Sequence, residues 1–304
     1  MSFSRTRRAT NPDSGPSRTS ATSHLPAVGP DNDPHQDGVL CFSSRPNLQA
    51  ASFVVGWTKD TGAVSRLVAD HLIRAANGIV FCQIDPATFY SVGGVTVTDD
   101  VAQLPGGKFF YSQQHHLVVL QADEPQSNRH GFFSTVLNLA QREGNAKALY
   151  TANGIAAMAP HTAIRRGFAV FNDPVMRRQQ RQVVPSDMSW QGPPHASTYL
   201  LWSAGTRHLP GAGLWVEVPF YLSGHEDYQA ARTALSLLAA MLGLQLDLRQ
   251  LDQRAANQNQ ALAQLRDDPE IGQKISALEE GESLDRQDQM ELSEAVGNAL
   301  RGAA

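Results

Sequence analysis

Ser52-Phe53-Val54-Val55-Gly56-Trp57, then Thr58-Lys59-Asp60-Thr61-Gly62, then an apolar series at Val64, Leu67, Val68, His71, Leu72 and Ala75: this stretch decides the fold class. The first six residues form a short apolar run of buried-strand type. The positions after the turn recur at i, i+3, i+4, i+7 and i+8, the stripe of a helix that lays one face on a sheet, starting near a cap at Asp60 or Thr61. Gly78 ends that helix, and Ile79-Val80-Phe81-Cys82-Gln83-Ile84 reads as the next strand. Strand, helix and strand in this compass make a βαβ unit, which predicts parallel pairing of the two strands with a right-handed crossover.

Working outward, order is expected to begin near Gly38-Val39-Leu40-Cys41-Phe42. Residues 1–36 are rich in Ser, Pro, Thr, Asn and Asp with almost no large apolar side chain, so they cannot repay the entropy of ordering and are read as a disordered tail. Downstream, residues 93–113 read as two short β-prone pieces about the turn Leu104-Pro105-Gly106-Gly107, a hairpin-like excursion. Leu117 to Leu120 is a core strand, and Phe132, Phe133, Val136, Leu137 and Ala140 mark a helix. Ala146 to Thr151 is a strand that runs into a small-residue segment, Ala152 to Pro160, taken as a loop.

Arg166 to Phe171 is β-prone, Asp173-Pro174 is placed to cap a short helix, and residues 183–194, with three prolines and a glycine, read as a loop. Tyr199 to Trp202 belongs to a helix, Leu214 to Val218 to a strand, and Ala230 to Leu242 to a helix that is apolar nearly all round. Such a helix is either enclosed in its own domain or shared with another subunit. The alternation predicts an α/β fold, a three-layer α/β/α sandwich with a mostly parallel central sheet, spanning residues 37–255. Residues 256–304 form a C-terminal helical segment whose leucines (Leu262, Leu265, Leu278, Leu284, Leu292, Leu300) have three possible homes: the domain, a second copy, or one another.

Composition narrows the function class. The chain has 304 residues, 41% of them hydrophobic, enough for a sizeable core, and a formal net charge of −4. No global field therefore draws it to nucleic acid or an anionic membrane, and neither is expected as a partner. Cys41 and Cys82 lack the paired spacing of a zinc ribbon or a redox dithiol and read as two buried, reduced thiols. Arg7-Arg8 is not followed by the apolar region of an export signal, and no run approaches the roughly 18 apolar residues of a membrane span, so a cytoplasmic location is expected.

Few residues offer chemistry. Gly56 to Gly62 lies where α/β proteins hold phosphates, at a strand-to-helix turn, yet its spacing matches neither a P-loop nor the dinucleotide fingerprint, and Asp60 at its mouth opposes an anion. A structural turn is the favoured reading. Of ten histidines none forms an i, i+4 pair that shares an ion, and His115, His116, His161, His195 and His225 are read as surface or loop residues. No G-x-S-x-G elbow and no paired carboxylates are present, so no catalytic residue, cofactor or metal is nominated. The expected ligand or partner cleft lies at the strand C-termini, where open α/β sheets bind. It is lined by Gly56, Trp57, Asp60, Thr61 and Gly62, by Asn153, Gly154 and His161 on the next loop, and by Trp190, Gly192 and Pro193 on a rigid aromatic loop.

Four segments taken together carry a resemblance: Val54 to Gly62, Pro160-His161-Thr162, Trp190-Gln191-Gly192-Pro193, and Leu214-Trp215-Val216-Glu217-Val218-Pro219-Phe220-Tyr221. In this order and at these intervals they resemble the proteasome assembly chaperone family, in particular its bacterial members of unassigned function, over about Gly38 to Arg254. The resemblance implies a nucleoside-phosphorylase-like α/β/α fold, self-association into a homo-oligomer with a trimer among the expected forms, and a protein-binding or assembly role. The alternative is a nucleotide- or nucleoside-like small ligand, or an enzyme, in the cleft. Eukaryotic and archaeal members dock through a C-terminal hydrophobic-Tyr-any tripeptide. Here the last residues are Leu300-Arg301-Gly302-Ala303-Ala304 without a tyrosine, so docking by that route is not expected.

Overall fold

The strand at Ser52–Trp57 lies in the interior of an eight-stranded sheet. The computed structural model describes residues 38–91, 96–98, 100–184 and 195–302, and the tail expected over residues 1–36 lies outside them. In chain order the strands are β1 (Leu40–Phe42), β2 (Ser52–Trp57), β3 (Ile79–Ile84), β4 (Thr96–Thr98), β5 (Val101–Gln103), β6 (Gly107–Ser112), β7 (Leu117–Ala122), β8 (Ala148–Ala157), β9 (Gly167–Phe171) and β10 (Gly211–Pro219). The helices are α1 (Val64–Ala75), α2 (Pro86–Phe89), α3 (Arg129–Arg142), α4 (Pro174–Gln180), α5 (Ala196–Gly205), α6 (Tyr228–Leu242), α7 (Arg249–Ala263), α8 (Pro269–Glu279) and α9 (Arg286–Gly302). The sheet runs β1-β3-β6-β7-β2-β8-β10-β9, and among the described residues β4 and β5 form a separate two-stranded sheet.

Strands β7, β2, β8 and β10 are parallel neighbours. Antiparallel strands flank them, β9 on one side and β6, β3 and β1 on the other. Both faces of the parallel block are covered, which is why β2 reads as an unbroken apolar run. Val54 joins Val68 and Leu72 of α1 and Leu235 and Leu238 of α6 in one core. Phe53, Val55 and Trp57 point the other way and join Phe132, Val136 and Leu137 of α3 and Leu200 of α5 in a second. The α/β/α sandwich is thus a direct result of alternate β2 side chains entering different cores.

Local readings fare unevenly. Asp173 caps α4, its Oδ1 accepting from the Met176 N–H at 2.6 Å. The βαβ unit needs correction: β3 does not pair with β2, because the antiparallel hairpin β6–β7 is inserted between them. The residues about Leu104 to Gly107 are not a hairpin turn, since β6 pairs with β7 after a turn in which His116 adopts a positive φ of 45°. The small-residue segment expected as a loop is strand as far as Ala157, because β10 pairs with it over its whole length and holds Asn153 and Gly154 in the sheet. Cys41 is exposed on the edge strand β1, while Cys82 is buried, which pushes its thiol up to about 12.

The C-terminal leucines choose the domain. Leu262 of α7, Ile275 and Leu278 of α8, Leu284, and Leu292 and Val296 of α9 are buried in the same cluster as Leu235 and Leu238 of α6. The all-round apolar character of α6 follows: α1, β10 and α7 enclose it.

Candidate functional site

At the C-terminal edge of the parallel strands the chain leaves β2 through Thr58 to Ala63 before entering α1. Gly62 and Ala63 both have positive φ, 69° and 51°, so the turn is a left-handed pair rather than a smooth helix start. A side chain on Gly62 would also meet Val218 of β10 at 2.8 Å. The turn is closed from within. Asp60 accepts the Ser65 N–H on both carboxylate oxygens, each at 3.0 Å, and the Gly154 N–H at 2.9 Å. Gly62 N–H donates to the Ser223 carbonyl at 3.0 Å, and Asp227 N–H donates to the Gly62 carbonyl at 2.9 Å.

An acidic side chain therefore already occupies the place where a phosphate would sit at the start of α1, which supports the structural-turn reading of this segment. Burial raises the Asp60 carboxyl to about 7, outweighing the two N–H donors and Arg66, which pull it down. Gly154 lets β8 come this close to the turn, because a Cβ there would lie 2.0 Å from the Thr61 carbonyl oxygen.

Trp57 and Asn153 meet inside the layer, not in a cleft. The Trp57 indole N–H donates to Ser197 Oγ at 2.7 Å, and that hydroxyl donates to Asn153 Oδ1 at 2.7 Å. Asn153 Nδ2 donates to the Leu214 carbonyl at 3.2 Å, and Ser65 Oγ accepts the Trp57 backbone N–H at 2.8 Å. This chain of buried donors and acceptors ties β2, α1, β8, α5 and β10 together with each of these groups paired. Gly56 lies buried in β2 against Ala69 of α1.

His161, read as a loop histidine, is buried at 3% exposure. Its backbone N–H donates to the Tyr221 hydroxyl and its Nδ1 lies 3.1 Å from the same oxygen. Burial, then Arg165 and Arg266, lowers its basicity below that of a free imidazole. Beside it Arg165 donates from Nε to Asp227 Oδ2 at 2.8 Å, with both side chains almost fully enclosed. Arg165 Nη1 donates to the His161 and Ala163 carbonyls at 3.1 and 2.8 Å. Asp227 Oδ1 caps α6 through the Ala230 N–H at 2.9 Å.

The open space lies elsewhere along the same edge. A cleft of about 1020 Å³ at the ends of β2 and β7 is lined by Thr58, Lys59, Arg66, Leu104, Asp123 and Arg129, among others. Asp123 is already engaged by the Thr58 hydroxyl and the Gly106 N–H, Arg66 by Glu226 and Asp70, and the exposed Arg129 by Glu124, while Lys59 is exposed at the mouth.

A model of the PAC2 family matches residues 53–266. The chain belongs to the PAC2 family. Solved structures that resemble this PAC2 chain include a Mycobacterium tuberculosis protein of unknown function, 22% identical, TM-score 0.69, covering 83% of this chain and 93% of that one. A Pyrococcus furiosus archaeal proteasome activator is 22% identical, TM-score 0.63, with 75% and 98% covered. A Mycobacterium tuberculosis proteasome-assembly chaperone homologue is 17% identical, TM-score 0.62, with 70% and 94% covered. No curated protein matches the chain.

Of the residues expected to line a site in this PAC2 chain, the structure brings Asp60, Thr61 and Gly154 into one junction and Trp57 and Asn153 into another. None of these lines the cleft, which is entered instead through Thr58 and Lys59 of the same turn. Trp190, Gly192 and Pro193 lie outside the described residues. Ser197, Arg165, Tyr221 and Asp227 were not anticipated in these roles. Only Asp227, three residues before Ala230 at the head of an apolar helix, carries a local signal for its capping role. Among the described residues no group of three or more His, Cys, Asp or Glu side chains is placed to hold a metal ion, and no helix is long and apolar enough to cross a membrane.

Proposed function

We propose that this PAC2 chain is a self-assembling scaffold that binds other proteins and assists their assembly, and that it works in the cytoplasm. The observation that supports it is the fate of the polar groups at the strand edge. Asp60, Asn153, Arg165 and Asp227 are consumed by one another and by backbone groups, and His161 is buried beside Tyr221. Groups spent in this way hold loops and helices in place and do not converge on a reacting atom. Relatives of this fold are described as a proteasome-assembly chaperone homologue and a proteasome activator, which makes proteasome subunits the first partners to try.

Size-exclusion chromatography with light scattering tests self-assembly: a defined homo-oligomer at micromolar concentration is expected, and a strictly monomeric species overturns it. Mixing with isolated proteasome subunits tests the partner, with a stoichiometric complex expected on the same column. A second reading, a small-ligand binder, is favoured by the cleft of about 1020 Å³ with Lys59 at its mouth. Thermal-shift measurements with nucleotides, nucleosides and phosphate decide it, since a bound ligand at 100 times its Kd stabilises by about 2.7 kcal/mol.

A further inference from the structure

A smaller cavity, of about 310 Å³, opens between the start of α6, one face of α7 and the end of α9. It shares no lining residue with the cleft at the ends of β2 and β7. Its long wall is α7, where Arg254, Asn257, Gln258 and Ala261 recur at i, i+3, i+4 and i+7 and so fall on one stripe of the helix. Tyr228, the first residue of α6, and the preceding His225 and Glu226 form a second side, and Leu300 of α9 a third. His225, read from the sequence as a surface or loop residue, is half-buried here. Its Nε2 and Arg301 Nη1 stand 3.5 and 3.6 Å from where a Cβ on Gly297 of α9 would lie, which brings a further guanidinium to this end of the cavity.

The charges in the wall do not cancel. Glu226 is its one carboxylate, and both oxygens are engaged, Oε1 by Arg66 and Oε2 by the Tyr228 hydroxyl. Glu294, the exposed carboxylate one turn before Gly297, does not line the cavity. The Arg254 guanidinium lies over the Tyr228 ring, 5.5 Å from its centroid, and among the described residues no carboxylate is within ion-pair distance of it. Gln258 Nε2 donates to the Glu226 carbonyl at 2.5 Å, and Asn257 Oδ1 accepts from Gln253 at 2.8 Å, which leaves the Asn257 amide N–H groups as donors. Ala261 and Leu300 are apolar.

We propose that this cavity binds a small monocarboxylic acid with a short apolar body, its carboxylate on Arg254 and Asn257 and its carbon chain against Ala261 and Leu300. A planar guanidinium with no carboxylate partner matches an oxyanion through paired N–H···O bonds. With Glu226 balanced by Arg66, one positive charge in the wall is left to be met, so the further charges of a polyanion such as a nucleoside triphosphate find no counter-charge there and are repelled by Glu226. At about 310 Å³ the space stands at the lower end of the range for small-molecule pockets, which suits a compact acid. Because the lining comes from α6, α7 and α9 together, the bound acid fastens the last helix to the domain and stabilises that docking by mass action. The site goes beyond the assembly reading and does not depend on it.

The test is titration of the full chain with hexanoate at neutral pH, followed by calorimetry and saturation-transfer NMR, with hexanamide as the uncharged probe. Saturable binding of hexanoate is expected, about tenfold or more tighter than that of hexanamide. Arg254→Gln, at an exposed position, and Ala261→Leu, which fills the apolar end, are each expected to weaken hexanoate binding by about tenfold or more. Arg249→Gln, on the same helix but paired with Asp247, is expected to leave it unchanged. Circular dichroism checks the fold of each variant, and should Ala261→Leu unfold, Arg254→Gln decides by itself. No saturable binding by the parent at millimolar hexanoate overturns the proposal, as does equal affinity for hexanoate and hexanamide or in the parent and Arg254→Gln. Loss of binding in Lys59→Ala would place the acid in the cleft at the ends of β2 and β7 and overturn it too.

Discussion

The C-terminal edge of the parallel strands is closed at one end and open at the other. Where β2, β8 and β10 finish, Asp60, Asn153, Ser197, Arg165 and Asp227 are buried or half-buried and bonded to partners across elements. Where β2 and β7 finish, Lys59, Arg66 and Arg129 border a cleft of about 1020 Å³ in contact with water. The same kinds of polar side chain occupy both. In the closed part each is worth its full desolvation penalty if a partner is lost, and in the open part water replaces a lost partner at little cost.

That contrast is broken most directly at Asp227. Asp227→Ala leaves Arg165 charged and enclosed and removes the cap of α6, so a loss of about 3–5 kcal/mol is expected in urea unfolding. A loss under about 1 kcal/mol would mean that water reaches the pair. Next comes Gly154→Ala, whose methyl must displace the Thr61 backbone at 2.0 Å. It is expected to cost about 3 kcal/mol and to speed hydrogen exchange at the start of α1. An unperturbed variant would show that the β8 crossing has slack.

Asp60 sharpens the contrast through pH. Its carboxyl is raised by burial from 3.8 to about 7, so between these values the folded chain keeps a proton that the unfolded chain releases. Stability from this group is therefore present below pH 4, declines as pH rises to about 7 and is level above, with a slope of at most about 1.4 kcal/mol per pH unit. Asp60→Asn cannot titrate and is expected to lack that part of the decline. Parallel pH profiles for parent and variant would show that the carboxylate is ionised throughout, held so by the Ser65 and Gly154 N–H groups. The smallest effect belongs to the open end, where Lys59→Ala is expected to change stability by within about 0.5 kcal/mol. A larger loss would mean that Lys59 has a structural partner and that the cleft is part of the closed region.

Legibility follows the same line. Apolar period marked β2, α1, β3, β7, α3, β10 and α6 because each element buries a stripe that must repeat at 2 or 3.6 residues. Small residues mark nothing. Ala152 to Ala157 looked like loop, yet β10 pairs along all of it, and its two site candidates, Asn153 and Gly154, became sheet interior. His161 carried no sign of burial in its own neighbours, since its cover comes from Tyr221 and Arg165. The hairpin β6–β7 entered between β2 and β3 because pairing partners are chosen by the whole sheet and not by proximity in the chain.

From its own residues the chain determined the α/β class, the strand-turn-helix at Ser52 to Ala75 and the apolar character of α6. Hydrophobic spacing is a local property, and the solvent imposes its outcome on any arrangement. Only the tertiary structure decided the strand order, the pairing of Arg165 with Asp227, and the docking of α7, α8 and α9 over α6. Those contacts join residues tens of positions apart, and an apolar helix face buries equally well on its own domain or another copy until the geometry of the connections excludes one.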